Sequence, residues 1–323
     1  MDSSQRWNDE LGARFFVAYN KVIIFTDEPE NCGGWHGAQL ASALILRGFQ
    51  AVFVCLQYCV IDLATDKPTI NIPQFSELPT AVFVRGIAGG TLQQITQRLN
   101  VLHALKMLGV IVYNDGKAIE RTVDKAMTSF LLHKAGINTP KTWVCESRQQ
   151  AHAIIEQNIA LNQQLVIKPM FGSQGRGVRL IENTLEKMPL PMDEHVDGVF
   201  YLQQFIQSSS DYRVFIINNQ VVAAMKRTGK TWLHNAALGA KCENIIDKTN
   251  ENDVLRIALQ AALVLEIGYC GVDVIRDSNG KLLVLEVNSI PAWRALQSVS
   301  RLNIAQVLVD EFLKTFNTGL KHD

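Results

Sequence analysis

No run in this sequence approaches the roughly 18 consecutive apolar residues that a membrane-spanning helix requires. Its start, MDSSQRWNDE, has neither the basic n-region nor the apolar h-region of a secretory signal. The expectation is therefore a cytoplasmic protein without a membrane partner. An excess of either charge is missing too: Lys plus Arg and Asp plus Glu each total 31, so no overall field draws the chain to nucleic acid, and none is expected as a partner. The six cysteines (Cys32, Cys55, Cys59, Cys145, Cys242, Cys270) contain no Cys-x-x-Cys pair, and several lie in apolar runs such as AVFVCL. They read as free core thiols, not as disulfides or zinc ligands. None of the seven histidines stands four residues from another, and no Ser-His or Cys-His arrangement suggests a protein nucleophile. There is no internal repeat and no low-complexity tract.

What is present is ample core material, 47% hydrophobic over 323 residues, enough for two or three compact units. Residues 1–112 alternate β-rich runs (KVIIFT, AVFVCL, AVFV, VIVY) with helical patterns near 37–47 and 91–108. That spacing predicts a small parallel sheet with helices on its faces. Ligands of such sheets sit beyond the carboxyl ends of the strands, which makes the loops DEPENCGGWHG and RGIAGG candidate substrate walls, or simple glycine turns. A second unit, 113–198, opens at the Asn114-Asp115-Gly116 turn. One helix over IERTVDKAMTSFLLHKAG, ended by Gly136, is predicted to follow, then the strand TWVC, a helix over 148–157 and the strands LVIK and VRLI. A connection over 183–198 leads into the third unit, 199–323. There YLQQFI, RVFIINN, QVVAAMKR, GVDVIR and KLLVLEV read as strands, with helices over 253–267 and 304–316.

Between LVIK and VRLI stands KPMFGSQGRGV, which ends without the Gly-Lys-Ser/Thr of a P-loop and reverses the glycine order of the dinucleotide fingerprint. Both of those loops open a helix, whose N-terminus supplies amide donors. Here a strand follows instead, so the stretch reads as a flap whose bare amides at Gly172, Gly175 and Gly177 could close on phosphates. Ser173 and Gln174 would add donors, and Lys168 would point at the same anion. An ordinary hairpin with an exposed lysine is the plain alternative.

Far downstream, GVDVIRDSNGKLLVLEVNSIP places Asp273, Glu286 and Asn288 in two apolar strands joined by a turn, with Glu286 and Asn288 on one face. Buried carboxylates need a partner. Hard oxygen ligands on rigid strands suit magnesium bound with nucleotide phosphates; pairing with Arg276 or Lys281 is the competing reading. Without a metal, each carboxylate facing a phosphate charge at 4 Å would be repelled by about 4 kcal/mol at an effective dielectric near 20. Lys125 is a second candidate cation for the phosphates, or a surface lysine. Asp211 and Arg213 point the same way from one strand and Arg227 ends the next, so the two arginines form a candidate catalytic clamp on a carboxylate or phosphoryl group, or else a cross-strand ion pair forms. His234 is given no role.

Together these motifs resemble the ATP-grasp superfamily, and within it the RimK-like glutamate ligases. The matching pieces, in order, are NDGKAIERTVDKAMTSFLLHKAGINTPKTW, LVIKPMFGSQGRGVRLI, YLQQFI, DYRVFIINNQVVAAMKR and GVDVIRDSNGKLLVLEVNSIP. The resemblance implies a mixed α/β and α+β architecture, in which an N-terminal Rossmann-like domain of parallel strands precedes two α+β subdomains that enclose the nucleotide. It implies that Lys125 and Lys168 contact ATP phosphates, that Gln204, Phe205 and Ile206 run along the adenine, that Asp211 faces the ribose and that Asn235 helps at the phosphates. Asp273, Glu286 and Asn288 would hold two Mg2+ or Mn2+ ions, and Arg213 and Arg227 would bind a substrate carboxylate or acyl phosphate. The chain departs from the pattern at Gln204, where an acidic residue is common, and after Asn288, where SIPAWRALQ replaces Ser-Pro-Gly.

SIPAWRALQ is similar to a RimK-like branch associated with tetrahydromethanopterin-type cofactors. The implied activity is an ATP-dependent carboxylate-amine ligase working through an acyl phosphate. Its partners would be a small carboxylate and an amine, glutamate above all, and ligases of this kind often pair as homo-oligomers. An ATP-binding module without turnover and a dipeptide ligase are the rival readings.

Overall fold

The computed structural model describes residues 20–172, 177–181, 198–229 and 239–319. The chain begins with β1 (Asn20–Phe25), α1 (Gly34–Ile45) and β2 (Phe49–Val54). A small antiparallel hairpin follows, β3 (Val60–Asp62) with β4 (Thr69–Asn71), and then β5 (Ala81–Val84), α2 (Leu92–Met107) and β6 (Ile111–Tyr113). β1, β2, β5 and β6 form a parallel sheet in the order β2-β1-β5-β6. Both faces are covered because β1 is apolar from Val22 to Phe25: Val22 and Ile24 pack with Leu40 and Leu44 of α1, while Ile23 and Phe25 pack with Val101, Leu102 and Leu105 of α2. The chain runs outward in opposite directions from β1 and from β5, so the strand order reverses between those two strands.

Next come α3 (Gly116–Val123) and α4 (Lys125–Lys134), where a single helix is predicted from sequence. The break falls at Asp124, whose φ of −77° and ψ of 99° are extended and whose side chain accepts from the Met127 N–H. Aspartate favours a helix start over a helix interior because its short carboxylate satisfies an orphan amide there. One consequence is that Lys125 becomes the first residue of a helix.

β7 (Thr142–Cys145), α5 (Arg148–Ala160), β8 (Leu165–Lys168), β9 (Arg179–Leu180) and β10 (Phe200–Gln204) follow, and the four strands pair in the order β7-β10-β8-β9. β8 and β9 are antiparallel, Val166 opposite Leu180 and Ile167 opposite Arg179, so the glycine-rich stretch does join two strands, although the second is shorter than VRLI suggests. The predicted connection over 183–198 lies almost wholly outside the described residues.

The rest is a five-stranded antiparallel sheet, in the order β13-β12-β11-β14-β15, made of β11 (Ser210–Ile217), β12 (Gln220–Thr228), β13 (Lys241–Asn244), β14 (Tyr269–Arg276) and β15 (Leu282–Asn288). The predicted set misses β3, β4 and β13, which are too short or too polar to show an alternating pattern. α6 (Asn252–Leu265) lies on one face of this sheet, where Ala258, Ala261 and Ala262 let it approach Val214, Val272 and Val274 closely. α7 (Arg294–Gln297) and α8 (Ile304–Gly319) return to the other face.

There the two large sheets share one core. Phe312 of α8 sits between Phe83 and Tyr113 at ring distances of 5.5 and 5.8 Å, and Phe215 and Trp293 join the same cluster. Burying each such aromatic contributes about 1.5–3 kcal/mol. Asn114 fixes the junction: its buried amide donates to the carbonyls of Tyr269 (2.7 Å) and Ser289 (2.8 Å), and its oxygen accepts from the Tyr269 N–H at 3.0 Å. The six cysteines are all free; Cys55, Cys59 and Cys270 are buried, whereas Cys32 is exposed.

Candidate active site

Register in the antiparallel sheet lines charged residues across neighbouring strands. Asp211 of β11 stands opposite Arg227 of β12, Arg213 of β11 opposite Asp273 of β14, and Asp273 opposite Glu286 of β15. The pairing shifts just beyond, between Asp273 and Val274, and an irregularity of this kind re-aims side chains beside a site. Arg227 grips Asp211 with both arms of its guanidinium, Nε to Oδ1 at 2.7 Å and Nη2 to Oδ2 at 2.8 Å, and reaches Asp273 at 3.1 Å. Arg213 Nε lies 2.7 Å from the same Asp273 oxygen. The carboxylates therefore have cationic partners, but Arg213 and Arg227 and not the Arg276 or Lys281 considered from sequence. Arg276 is engaged with Glu251 and Asp253.

Glu286 and Asn288 share a face, as their spacing requires, and the Asn288 amide nitrogen donates to Glu286 Oε1 at 2.8 Å. That bond turns the amide nitrogen inward to the carboxylate and leaves the amide oxygen free to act as a ligand. Burial raises the Asp273 carboxyl; Arg213 and Arg227 oppose the shift, while Glu286 and Asp211 reinforce it. Burial would raise Glu286 as well, but the Asn288 amide, Arg213 and Lys168 outweigh it and hold Glu286 at about 2.

Two lysines reach this acidic pair from outside its own sheet. Lys168 ends β8, and Lys125 starts α4. Burial lowers both, and the field of Glu286 partly restores each. Lys168 Nζ donates to the buried amide oxygen of Gln203 at 2.6 Å, and Gln203 in turn donates to Thr142 Oγ1 and to the Tyr201 hydroxyl, each at 3.1 Å. This chain fixes Lys168 from behind. Lys125 Nζ donates to the carbonyls of Met170 (3.2 Å) and Gly172 (2.9 Å) at the entry of the glycine stretch. The base of the stretch, both lysines and the acidic pair thus meet in one place. Lys125, Lys168, Arg213 and Arg227 gather around Asp211, Asp273 and Glu286, with Asp124 beside Lys125.

Gly172 has φ 149° and Gly177 φ 75°, and a Cβ on Gly177 would come within 3.2 Å of Pro169, so the stretch closes tightly on itself where it rejoins β9. Ser173, Gln174, Gly175 and Asn235, all expected at the phosphates, lie outside the described residues. Gln204 ends β10, and Phe205 and Ile206 open the passage to β11. The Gln204 and Phe205 amides donate to the carbonyls of Lys141 and Gln164, both at 2.8 Å, and tie this passage to the β7-β8 side.

Sequence reasoning missed Gln203 and Asn114. A glutamine and an asparagine beside apolar strand residues are the available signal, but only coordinates give their partners. As for a cation, the donor chemistry fits: two carboxylates and an amide oxygen on adjacent rigid strands are the hard ligands that magnesium takes.

Residues 122–312 match the family model of the RimK-like ATP-grasp domain. Tetrahydromethanopterin:alpha-L-glutamate ligase of Methanococcus maripaludis is 32% identical over 241 residues, which covers 72% of this chain and 78% of the relative. The probable alpha-L-glutamate ligase 2 of Hahella chejuensis is 30% identical over 289 residues, with 87% and 92% covered. Among solved structures, the ATP-grasp ligase PsnB complexed with minimal precursor, Mg and ADP superimposes with a TM-score of 0.68 at 19% identity, over 92% of this chain and 98% of that one. The RimK domain protein ATP-grasp from Sphaerobacter thermophilus gives 0.65 at 19% identity, over 91% and 99%. At such identities the structural likeness speaks for the fold alone.

Proposed function

The chain belongs to the RimK-like ATP-grasp family, and from that premise we propose that it is an ATP-dependent ligase joining L-glutamate to the carboxylate of a small-molecule or peptide acceptor. The observation that carries this reading is the meeting of Lys125, Lys168 and the Asp273-Glu286-Asn288 set at the base of the glycine stretch. An acceptor carboxylate oxygen attacks the γ-phosphorus of ATP, and the bond to ADP breaks. The glutamate amine then attacks the acyl carbon, phosphate leaves, and the amine gives up a proton. Neither step needs a protein nucleophile, so the residues act by placement and charge.

Lys125 and Lys168 hold the phosphates, and Gln203 keeps Lys168 aimed at them. Asp273, Glu286 and Asn288 hold magnesium, two ions in this proposal, with manganese as a substitute. The cation supplies neutralisation of phosphate charge. Asp211 lies beside the ribose; each of its oxygens retains a lone pair after the Arg227 fork has formed. Arg213 meets the substrate carboxylate or acyl phosphate, while Arg227, spent on two carboxylates, positions Asp211 and Asp273. Gln204, Phe205 and Ile206 border the adenine, and Gly172, Ser173, Gln174, Gly175 and Gly177 with Asn235 close over the phosphates, excluding water from the acyl phosphate. We also propose the division into units 1–112, 113–198 and 199–323, and a tetrahydromethanopterin-type pterin as one acceptor class, on the strength of the first-named relative.

The test is incubation with ATP, Mg2+, isotopically labelled glutamate and an extract of small cofactors, read by phosphate release and mass spectrometry. Labelled glutamyl products formed together with phosphate support the reading. Nucleotide binding without phosphate release under any acceptor would leave only a binding module.

A further inference from the structure

Next to the nucleotide site lies a set of cationic and aromatic side chains that the phosphate chemistry leaves unused. The parallel sheet reverses its winding between β1 and β5, and in open sheets ligands occupy the crevice beyond the carboxyl ends at such a point. Arg85 leaves β5 at this point, its backbone N–H bonded to Phe25 O of β1 at 2.7 Å. Trp35 and His36 open α1 beside it.

The segment that follows Asn288 covers the same crevice. Trp293 is 1% exposed, donates its backbone N–H to His36 Nε2 at 3.0 Å, and carries the Arg85 guanidinium over its ring at 4.8 Å. Arg294, exposed, lies over Trp35 at 5.8 Å. Neither arginine has an ion-pair partner among the described residues. Arg85 Nε and the Trp293 indole N–H are buried without an acceptor, an arrangement that costs free energy unless a ligand supplies one. Burial, with Arg85 and Arg294 nearby, lowers His36 to about 4, so its ring stays neutral and keeps accepting from Trp293.

This crevice adjoins the reaction centre through Pro291. Its carbonyl accepts from Arg85 Nη1 at 3.2 Å, while its ring lies 2.9 Å from where a Cβ on Gly271 would stand, a point only 2.5 Å from Arg213 Nη1. An acceptor lying along Ser289–Arg294 would thus meet Arg213 at one end and Arg85 at the other.

We propose that Arg85 and Arg294, framed by Trp35 and Trp293, bind a second carboxylate of the acceptor, so that the enzyme selects di- or polycarboxylic acceptors over monocarboxylic ones. The proposal rests on the ligase reading above and names the substrate class of its acceptor site. The same guanidinium chemistry could serve the α-carboxylate of the incoming glutamate, and the experiment separates the two sources.

Trp35 and Trp293 provide the probe. Intrinsic fluorescence is titrated with glutarate, butyrate and L-glutamate in the presence of ADP and Mg2+, for the wild type and for R85Q, R85K and R294Q. The expected result is a saturable response to glutarate at least tenfold tighter than to butyrate. R85Q and R294Q lose that preference and R85K retains part of it. Because Arg294 is exposed, R294Q reads the subsite even where R85Q fails to fold. Equal responses to glutarate and butyrate in the wild type, or an undiminished preference in R294Q, would overturn the proposal. So would a response to L-glutamate alone that the variants abolish, which would give the subsite to the amine substrate. Failure of the wild type to bind ADP with Mg2+ would instead count against the ligase reading, and the glutarate titration would still report on the crevice.

Discussion

Arg227→Met is the perturbation that best separates a structural arginine from a substrate-binding one. Arg227, Asp211 and Asp273 are 6, 7 and 5% exposed, and the guanidinium makes three bonds to the two carboxylates at 2.7, 2.8 and 3.1 Å. Removing it leaves buried Asp211 without an ion-pair partner among the described residues, whereas Asp273 keeps Arg213. Breaking a buried pair by deleting one partner costs about 3–5 kcal/mol, because an uncompensated charge remains. Urea unfolding of R227M should show a loss of that size. The double variant R227M/D211L, which removes both charges, should recover about 1–3 kcal/mol of it as a non-additive coupling between neighbours. The reasoning fails if R227M loses less than about 1 kcal/mol while the rate of phosphate release collapses. Arg227 would then act on substrate, as the sequence alone suggested.

Gln203→Leu removes the acceptor behind Lys168. A hydrogen bond to a charged group contributes about 1.5–3 kcal/mol, so urea unfolding should show a loss of about that size, and the KM for ATP, read by steady-state kinetics, should rise about tenfold as Lys168 loses its fixed aim. Asp124→Ala deletes the cap of α4 and should cost about 0.5–2 kcal/mol in urea unfolding, with a weaker ATP affinity because Lys125 is the first residue of that helix. His36 should titrate by NMR near pH 4. Its folded pKa lies below the ordinary 6.5, so the unfolded chain takes up the proton first, and the contribution to stability is present above pH 6.5 and lost as pH falls toward 4. With the ring partly solvated the loss is on the order of 1 kcal/mol, and it should vanish in His36→Phe.

Particular residues show where sequence reasoning succeeds. Glu286 and Asn288 were legible as neighbours because a strand alternates with period two, and that is a local property. That the glycine stretch joins two antiparallel strands was legible because Arg179–Leu180 continue as a strand where a P-loop would start a helix. Asp124 was misread because apolar periodicity runs through IERTVDKAMTSF on both sides of it, and only the cap geometry shows the break. The arginine partners of Asp273 are not legible in the hairpin, where the nearest cations in sequence are Arg276 and Lys281; the sheet brings in Arg213 and Arg227 from β11 and β12.

By itself the sequence determined most of the strands, the glycine stretch, the acidic pair and the family, because each is written in short-range pattern and in the order of motifs. Tertiary structure alone decided which charge faces which. It closed the Arg227 fork, set Gln203 behind Lys168, and brought Arg85 from residue 85 against Trp293. Such pairings are fixed by sheet register and by the shared core of two sheets, and contacts across hundreds of residues leave no periodic trace in the chain.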